Sequence, residues 1–219
     1  MLGYGVCVGS WDEFAAYVAP YVTGSPVMAV SGHSSICTAY NRILDHCRDW
    51  NLEALVLLHD DLEITDPAFE AKVRAALVDD VAIVGVCGGP SDQSLAWWNA
   101  EGCIGHQMTD SGLIDFGLRT GEAAIVDGSI MVLSPWAIGN LRFDEGYDGF
   151  HGYPDTCLDA RAAGKRVVVA DIDTHHHTTV GFKSPEIERS FTVTDWMFQH
   201  KTAAGKQAAR ARRLYGAPS

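Results

Sequence analysis

The chain has 219 residues, 47% hydrophobic and 20% charged, which suits one domain with a full core and excludes long disorder. Its formal net charge of −12 excludes a nucleic-acid binder, which needs a basic face to neutralise phosphates. In so acidic a protein, a bound diphosphate needs a cation or an oriented loop beside it.

The opening MLGYGVCVGSW lacks the basic and apolar regions of a secretory leader, and no apolar run approaches the about 18 residues of a membrane span. The six cysteines (Cys7, Cys37, Cys47, Cys87, Cys103, Cys157) are scattered without a CxxC pair. Reduced thiols in a cytoplasm are therefore expected, rather than a disulfide or zinc framework.

In chain order, Tyr4–Gly9 is expected as a buried strand. Ser10 then caps a helix, with Glu13 three residues on completing a capping box. Pro26–Ser31 follows as a second strand. Ser35–Trp50 carries Ile36, Tyr40, Ile43, Leu44 and Cys47 at helical spacing. Ala54–Leu58 is wholly apolar, as a central strand of a parallel sheet would be. Asp66-Pro67 is expected to open a helix reaching about Val78, before a fourth strand at Val81–Cys87.

This βαβαβαβ order is that of a doubly wound α/β sheet, in which ligands bind beyond the carboxyl ends of the strands. The Gly-rich stretch 88–121 reads as a long functional loop, mobile when empty. Ala123–Leu133 is expected as one or two strands, Asp155–Ala163 as a helix closed by Gly164, and Lys165–Ala170 as a strand. From Pro185 onward the sequence is mostly helical.

Three clusters carry candidate chemistry. In LVLLHDDLEI (Leu55–Ile64) a buried strand runs into His59, Asp60 and Asp61. Carboxylate oxygens suit a hard divalent cation bridging a diphosphate, and the plainer alternative is a solvated turn. Three consecutive histidines, His175, His176 and His177, follow a strand. In extended chain alternate side chains point oppositely, so one ligand or the 175/177 pair is expected, or a plain surface run. Imidazole beside Asp61 tilts the choice of ion toward Mn²⁺ over Mg²⁺.

The third cluster is FHGYPDTCLD, with Asp155 at a helix start. There the dipole favours its ionised form and fits it to act as a general base, with Asp144 and Asp148 as further acids to test. A plain helix-start acid is the alternative. Trp97 and Trp98 offer aromatic faces for a sugar, or one of the pair is simply buried. Lys201–Ser219 carries Lys201, Lys206, Arg210, Arg212 and Arg213 and no acid. It reads as a solvated terminal helix, or as a contact for anionic lipid or an acidic partner.

The runs SSICTAYNRILDHCRDWNLEALVLLHDDLEI and VDGSIMVLSPWAIGNLRFDEGYDGFHGYPDTCLDARAAGKRVVVADIDTHHH resemble the GT-A glycosyltransferases of the family 2 type. The resemblance covers roughly residues 4–182 and is nearest to the short bacterial branch that includes streptomycin-biosynthesis-like proteins. It implies an α/β GT-A (nucleotide-diphospho-sugar transferase) fold, a Rossmann-like mixed sheet with helices on both faces. Residues 1–184 would form that domain and 185–219 a C-terminal helical extension.

By this resemblance His59-Asp60-Asp61 occupies the DXD position. Asp61 stands in the last acidic place, His59 replaces the first Asp, and a histidine of 175–177 completes the metal site. Gly9, Ser10, Asn41, Asp60 and Gly128 match the nucleotide-sugar pocket, and Asp155 matches one of the later acids. The implied function is a metal-dependent, inverting glycosyltransferase with Mn²⁺ or Mg²⁺ and a nucleotide-sugar donor. Its acceptor would be a glycan, lipid-linked sugar or small molecule, in a cytoplasmic or membrane-peripheral setting. The alternatives are a non-catalytic sugar-nucleotide-binding module and a metal-dependent phosphohydrolase.

Overall fold

The computed structural model describes residues 1–90, 93–147, 149, 151, 153–179 and 184–215, the last span by backbone alone beyond residue 201. Its centre is a seven-stranded sheet in which β1 (Leu2–Val8) lies parallel to both β2 (Val27–Ser31) and β3 (Ala54–His59). β1 is buried along its whole length, and β3 up to Leu58. Side chains are covered on both faces, so periodicity is replaced by a continuous apolar run.

Helix α3 (Ile36–Cys47) packs on this sheet. The Ser35 hydroxyl accepts from the Cys37 amide at 3.2 Å and caps it. Ile36, Tyr40, Ile43, Leu44 and Cys47 are all buried, as their spacing anticipates. Gly5 lets the helix approach, because a Cβ there would come within 2.5 Å of Ile43 Cγ2 and 2.8 Å of Leu57 Cδ2.

The sheet departs from all-parallel at β11 (Ile130–Leu133), which runs antiparallel between β3 and β5 (Val81–Gly85). Beyond β5 lie β12 (Arg166–Val169), parallel to it, and the edge strand β9 (Gly121–Glu122). Ala54–Leu58 is thus central, but in a mixed sheet.

A second sheet orders β10 (Ile125–Val126), β6 (Cys87–Gly89), β7 (Ile104–Thr109), β13 (Thr174–His176) and β4 (Leu62–Ile64). β8 (Gly112–Asp115) pairs with β7 as a hairpin. The stretch 88–121 therefore contains strands where a loop is expected. The polar side chains of β7 are buried but partnered: His106 Nε2 lies 2.8 Å from Asp173 Oδ1, and Gln107 Nε2 donates to Ser129 Oγ at 2.8 Å. A strand satisfied this way shows no apolar alternation.

Two caps differ from expectation. Ser10 does cap the short α1 (Trp11–Glu13), its hydroxyl accepting from the Glu13 amide at 3.3 Å. The Ser10 amide, however, donates to Asp60 Oδ2 at 2.5 Å rather than to a glutamate, so the reciprocal half of the box belongs to another segment. The chain continues through a π-helical turn (Phe14–Val18) into α2 (Ala19–Val22). Asp66 turns the chain ahead of α4 (Phe69–Ala76), accepting from the Ala68 amide at 2.8 Å, and Ala68 takes the cap position. Its second oxygen accepts from Lys72 Nζ at 2.5 Å and from the Asp173 amide at 3.2 Å.

After α5 (Pro135–Asn140) and α6 (Asp155–Ala162), the long α7 (Pro185–Tyr215) folds back on the body. Asp195 accepts from Ser94 Oγ at 2.9 Å and the Leu95 amide at 2.6 Å, and Phe198 is fully buried. Among the described residues no helix is long and apolar enough to cross a membrane. All six cysteines are unpaired and buried.

Candidate functional site

The carboxyl end of β3 carries the site. His59 is the last residue of the strand, and Asp60 and Asp61 form the turn into β4. Asp60 Oδ2 accepts from the Gly9 amide at 2.7 Å as well as from Ser10. The end of β1 and the turn after β3 are thereby held side by side, which brings Gly9, Ser10 and Asp60 together.

Asp61 is 7% exposed. Its Oδ1 lies 3.1 Å from His176 Nε2 and 3.9 Å from His59 Nδ1. Strand register explains the choice among the three histidines. β13 pairs antiparallel with β4, setting His175 opposite Glu63 and His176 opposite Leu62. His176 turns to one face, toward His59 and Asp61, and His175 and His177 turn to the other. One donor atom from each of His59, Asp61 and His176 lies within 4.8 Å of the others, a spacing that an ion can bridge.

The donor set fits a divalent cation. Burial, then the nearby His176, pushes the His59 imidazole below its ordinary range, which keeps it neutral with a lone pair to offer. Its Nε2 is buried with no hydrogen-bond partner among the described residues. Two imidazoles and one carboxylate leave open positions for oxygen ligands, and imidazole favours Mn²⁺ over Mg²⁺.

Behind His59 stands Tyr153, with ring centroids 6.0 Å apart. Gly128 makes room for that ring, since a Cβ at Gly128 would fall 1.5 Å from Tyr153 Cε2. Gly128 thus touches the cluster through Tyr153. Two residues not singled out from the sequence also belong here. Burial, and then His59, pushes His151 down to about 4. The Asp127 carboxylate accepts from the Ser129 amide at 2.8 Å and acts electrostatically on both His59 and His151. Both stand inside quoted runs, but nothing in their spacing tells them from ordinary turn residues.

The other expected residues are partnered by other segments. Asn41 spends its amide on the 143–145 segment: Nδ2 donates to Phe143 O at 2.9 Å and Glu145 Oε1 at 2.7 Å, and Oδ1 accepts from the Phe143 amide at 2.9 Å. Asp155, at the start of α6, is 3% exposed and hydrogen-bonded to Lys201 of α7. Lys201 also donates to Asp144 Oδ2 at 2.8 Å. Burial pushes the Asp155 carboxyl above its ordinary range, and the Lys201 ammonium pulls it partly back. Asp148 lies outside the described residues, as do the side chains of Lys206, Arg210, Arg212 and Arg213.

Of the tryptophan pair, Trp97 is 4% exposed and packs against Phe116, with ring centroids 5.5 Å apart. Trp98 is 42% exposed and lies beside Phe191 of α7.

Residues 19–210 match the model of a glycosyltransferase-like family. The chain is 36% identical over 193 residues to the streptomycin biosynthesis protein StrF of Streptomyces griseus, an alignment covering 83% of this chain and 69% of that protein. Among solved structures, GalNAc-T7 with UDP, GalNAc and Mn²⁺ superposes with a TM-score of 0.59 at 9% identity, covering 89% of this chain and 47% of that one. A Drosophila beta-1,4-galactosyltransferase 7 mutant in complex with manganese, UDP-Gal and xylobiose gives 0.51 at 10% identity, covering 86% and 79%. At such identities the likeness is one of fold, and the fold is GT-A.

Proposed function

The chain belongs to this glycosyltransferase-like family, and from that premise we propose that it moves a sugar from a nucleotide-diphosphate donor to an acceptor hydroxyl. One observation carries the reading: His59, Asp61 and His176 converge at the carboxyl end of the central strand. This is where a sheet of this kind binds its ligand.

In this reading His59, Asp61 and His176 hold Mn²⁺ or Mg²⁺, which when bound neutralises the diphosphate as leaving group. Gly9 and Ser10, fixed by Asp60, form the nucleotide edge. Gly128 and Tyr153 back His59, and Asn41 shapes the pocket from the side by tying down the 143–145 segment. Asp155 takes the proton of the acceptor hydroxyl as its oxygen attacks the anomeric carbon from the face opposite the diphosphate, inverting configuration. For this the acceptor must displace the Lys201 ammonium from Asp155. Trp98, the more exposed of the tryptophan pair, offers an apolar face to the acceptor, with Trp97 as its packed support. Residues 1–184 act as the transferase domain and 185–219 as a C-terminal extension, whose Lys201 reaches Asp144 and Asp155. The buried, unpaired thiols suit a cytoplasmic setting.

A second reading is favoured by one observation. Asp155 is buried under Lys201, as it would be in a sugar-nucleotide-binding module without turnover. A thermal-shift panel of nucleoside diphosphates and nucleotide sugars, with and without Mn²⁺, tests donor binding. At 100 times Kd a ligand adds about 2.7 kcal/mol, or about 5–10 °C for a chain of this size. No Mn²⁺-dependent shift with any of them would overturn donor binding. A shift without sugar transfer to any hydroxyl acceptor would select the second reading.

A further inference from the structure

The antiparallel β4–β13 pair presents a second group of ligands on the face away from His176. Glu63 stands opposite His175 in the strand register, and His177 follows on the same side two residues on. His177 Nε2 lies 3.0 Å from Glu63 Oε2. The His175 and His177 rings stack with centroids 4.0 Å apart. A donor atom from each of Glu63, His175 and His177 falls within 4.8 Å of the other two. All three are partly exposed, so an ion has access.

We propose that Glu63, His175 and His177 form a second divalent-metal site, able to take a zinc-class ion and separate from the donor cluster. Zinc bonds of about 2.0–2.2 Å to nitrogen and oxygen place tetrahedral ligand atoms about 3.4 Å apart, so closing on an ion requires the His175 ring, stacked on His177 at 23°, to tilt until both ring planes point at it. Two imidazoles and one carboxylate make a three-ligand zinc set with a fourth position open.

Supporting groups are already in place. Asp110 Oδ1 lies 3.1 Å from His175 Nε2 and 3.7 Å from His177 Nδ1, the outer carboxylate that orients ligating histidines. Tyr17 stacks on His177 with centroids 3.6 Å apart, which fixes its plane.

The site also bears on the donor cluster. The His177 amide donates to the Asp61 carbonyl at 2.8 Å. An ion joining β4 to β13 on this face locks the antiparallel pair beside which Asp61 and His176 meet on the other. The metal site stands whether or not the donor-site reading does; its role as a clamp on Asp61 and His176 rests on that reading.

The test uses chelator-treated full-length Asp61→Ala/His176→Ala protein, in which the donor cluster is disabled, titrated with Zn²⁺ by calorimetry. One equivalent of Zn²⁺ is expected to bind, with a thermal shift of about 5–10 °C at 100 times Kd. Adding His175→Ala or Glu63→Gln abolishes both, and Asp110→Asn weakens binding about 10–100-fold. If the doubly substituted chain does not fold, His176→Ala alone replaces it, and His175→Ala must then remove one equivalent from that background. The proposal is overturned if the folded protein binds no stoichiometric Zn²⁺, or if binding persists unchanged in the His175→Ala and Glu63→Gln variants. Loss of Mn²⁺-dependent nucleotide binding in His176→Ala, with Zn²⁺ retained, separates the two sites.

Discussion

Replacing Lys201 by methionine removes the ammonium that joins α7 to Asp155 and Asp144 but keeps most of the side chain's length. The Asp155 side chain is 4% exposed and that of Lys201 44% exposed. Stranding a buried carboxylate costs about 3–5 kcal/mol. The cation here is nearly half in solvent, which screens the pair, so about 1–2 kcal/mol is the expected loss at pH 7. For a chain of this size that lowers Tm by about 2–8 °C.

The pH dependence has a definite sign. Burial already raises the Asp155 pKa, and losing Lys201 raises it further. A carboxyl whose folded pKa lies above its unfolded value, about 3.9, favours the fold fully below that value. The benefit is lost as pH rises through the folded pKa. The deficit of Lys201→Met relative to wild type should therefore shrink as pH falls from 7 toward 4. In an Asp155→Asn background, with no buried charge to strand, the same substitution should cost less than half as much. Calorimetric melts of the four proteins at several pH values decide it. An equal, pH-independent loss in both backgrounds would refute the idea that Lys201 compensates Asp155.

Three further outcomes are expected. Asp155→Asn should lower kcat by about 10²–10⁴-fold while leaving donor affinity within a few-fold, as measured by turnover and by nucleotide titration. Gly128→Ala should cost about 1–3 kcal/mol in denaturant melts by driving a methyl into the Tyr153 ring; wild-type stability would mean that the ring moves freely. Hydrogen bonds from Lys72, Ala68 and Asp173 outweigh burial and hold the Asp66 carboxyl below its ordinary range. Its stabilisation is present above the unfolded pKa and lost as pH falls through the folded one, so Asp66→Asn should flatten the acid limb of the stability curve below about pH 4.

What the sequence reveals depends on how local the physics is. The run Ala54–Leu58 declares a central strand because burial on both faces demands continuous apolar residues, and α3 declares itself through one buried stripe. The β7–β8 hairpin stays hidden, because His106 and Gln107 are buried on partners far along the chain, Asp173 and Ser129. Alternation divides the histidine run into His176 against the 175/177 pair. Only the pairing of β13 with β4 tells which side meets Asp61. The contact of Lys201 with Asp155 joins residues 46 apart, so neither local segment hints at it. Asp66 keeps a local bond to the Ala68 amide through one oxygen, while its other oxygen binds Lys72 and the Asp173 amide, which no local pattern announces.

His59, Asp61 and His176 are proposed to hold a divalent ion for a nucleotide-diphosphate donor. Calorimetric titration of nucleoside diphosphates and their sugars into wild type, Asp61→Ala and His176→Ala, each with and without Mn²⁺, tests it most directly. Binding in wild type is expected to need Mn²⁺ and to be lost in both variants, with their melting cooperativity preserved. Mn²⁺-dependent binding that survives unchanged in folded Asp61→Ala and His176→Ala would contradict it.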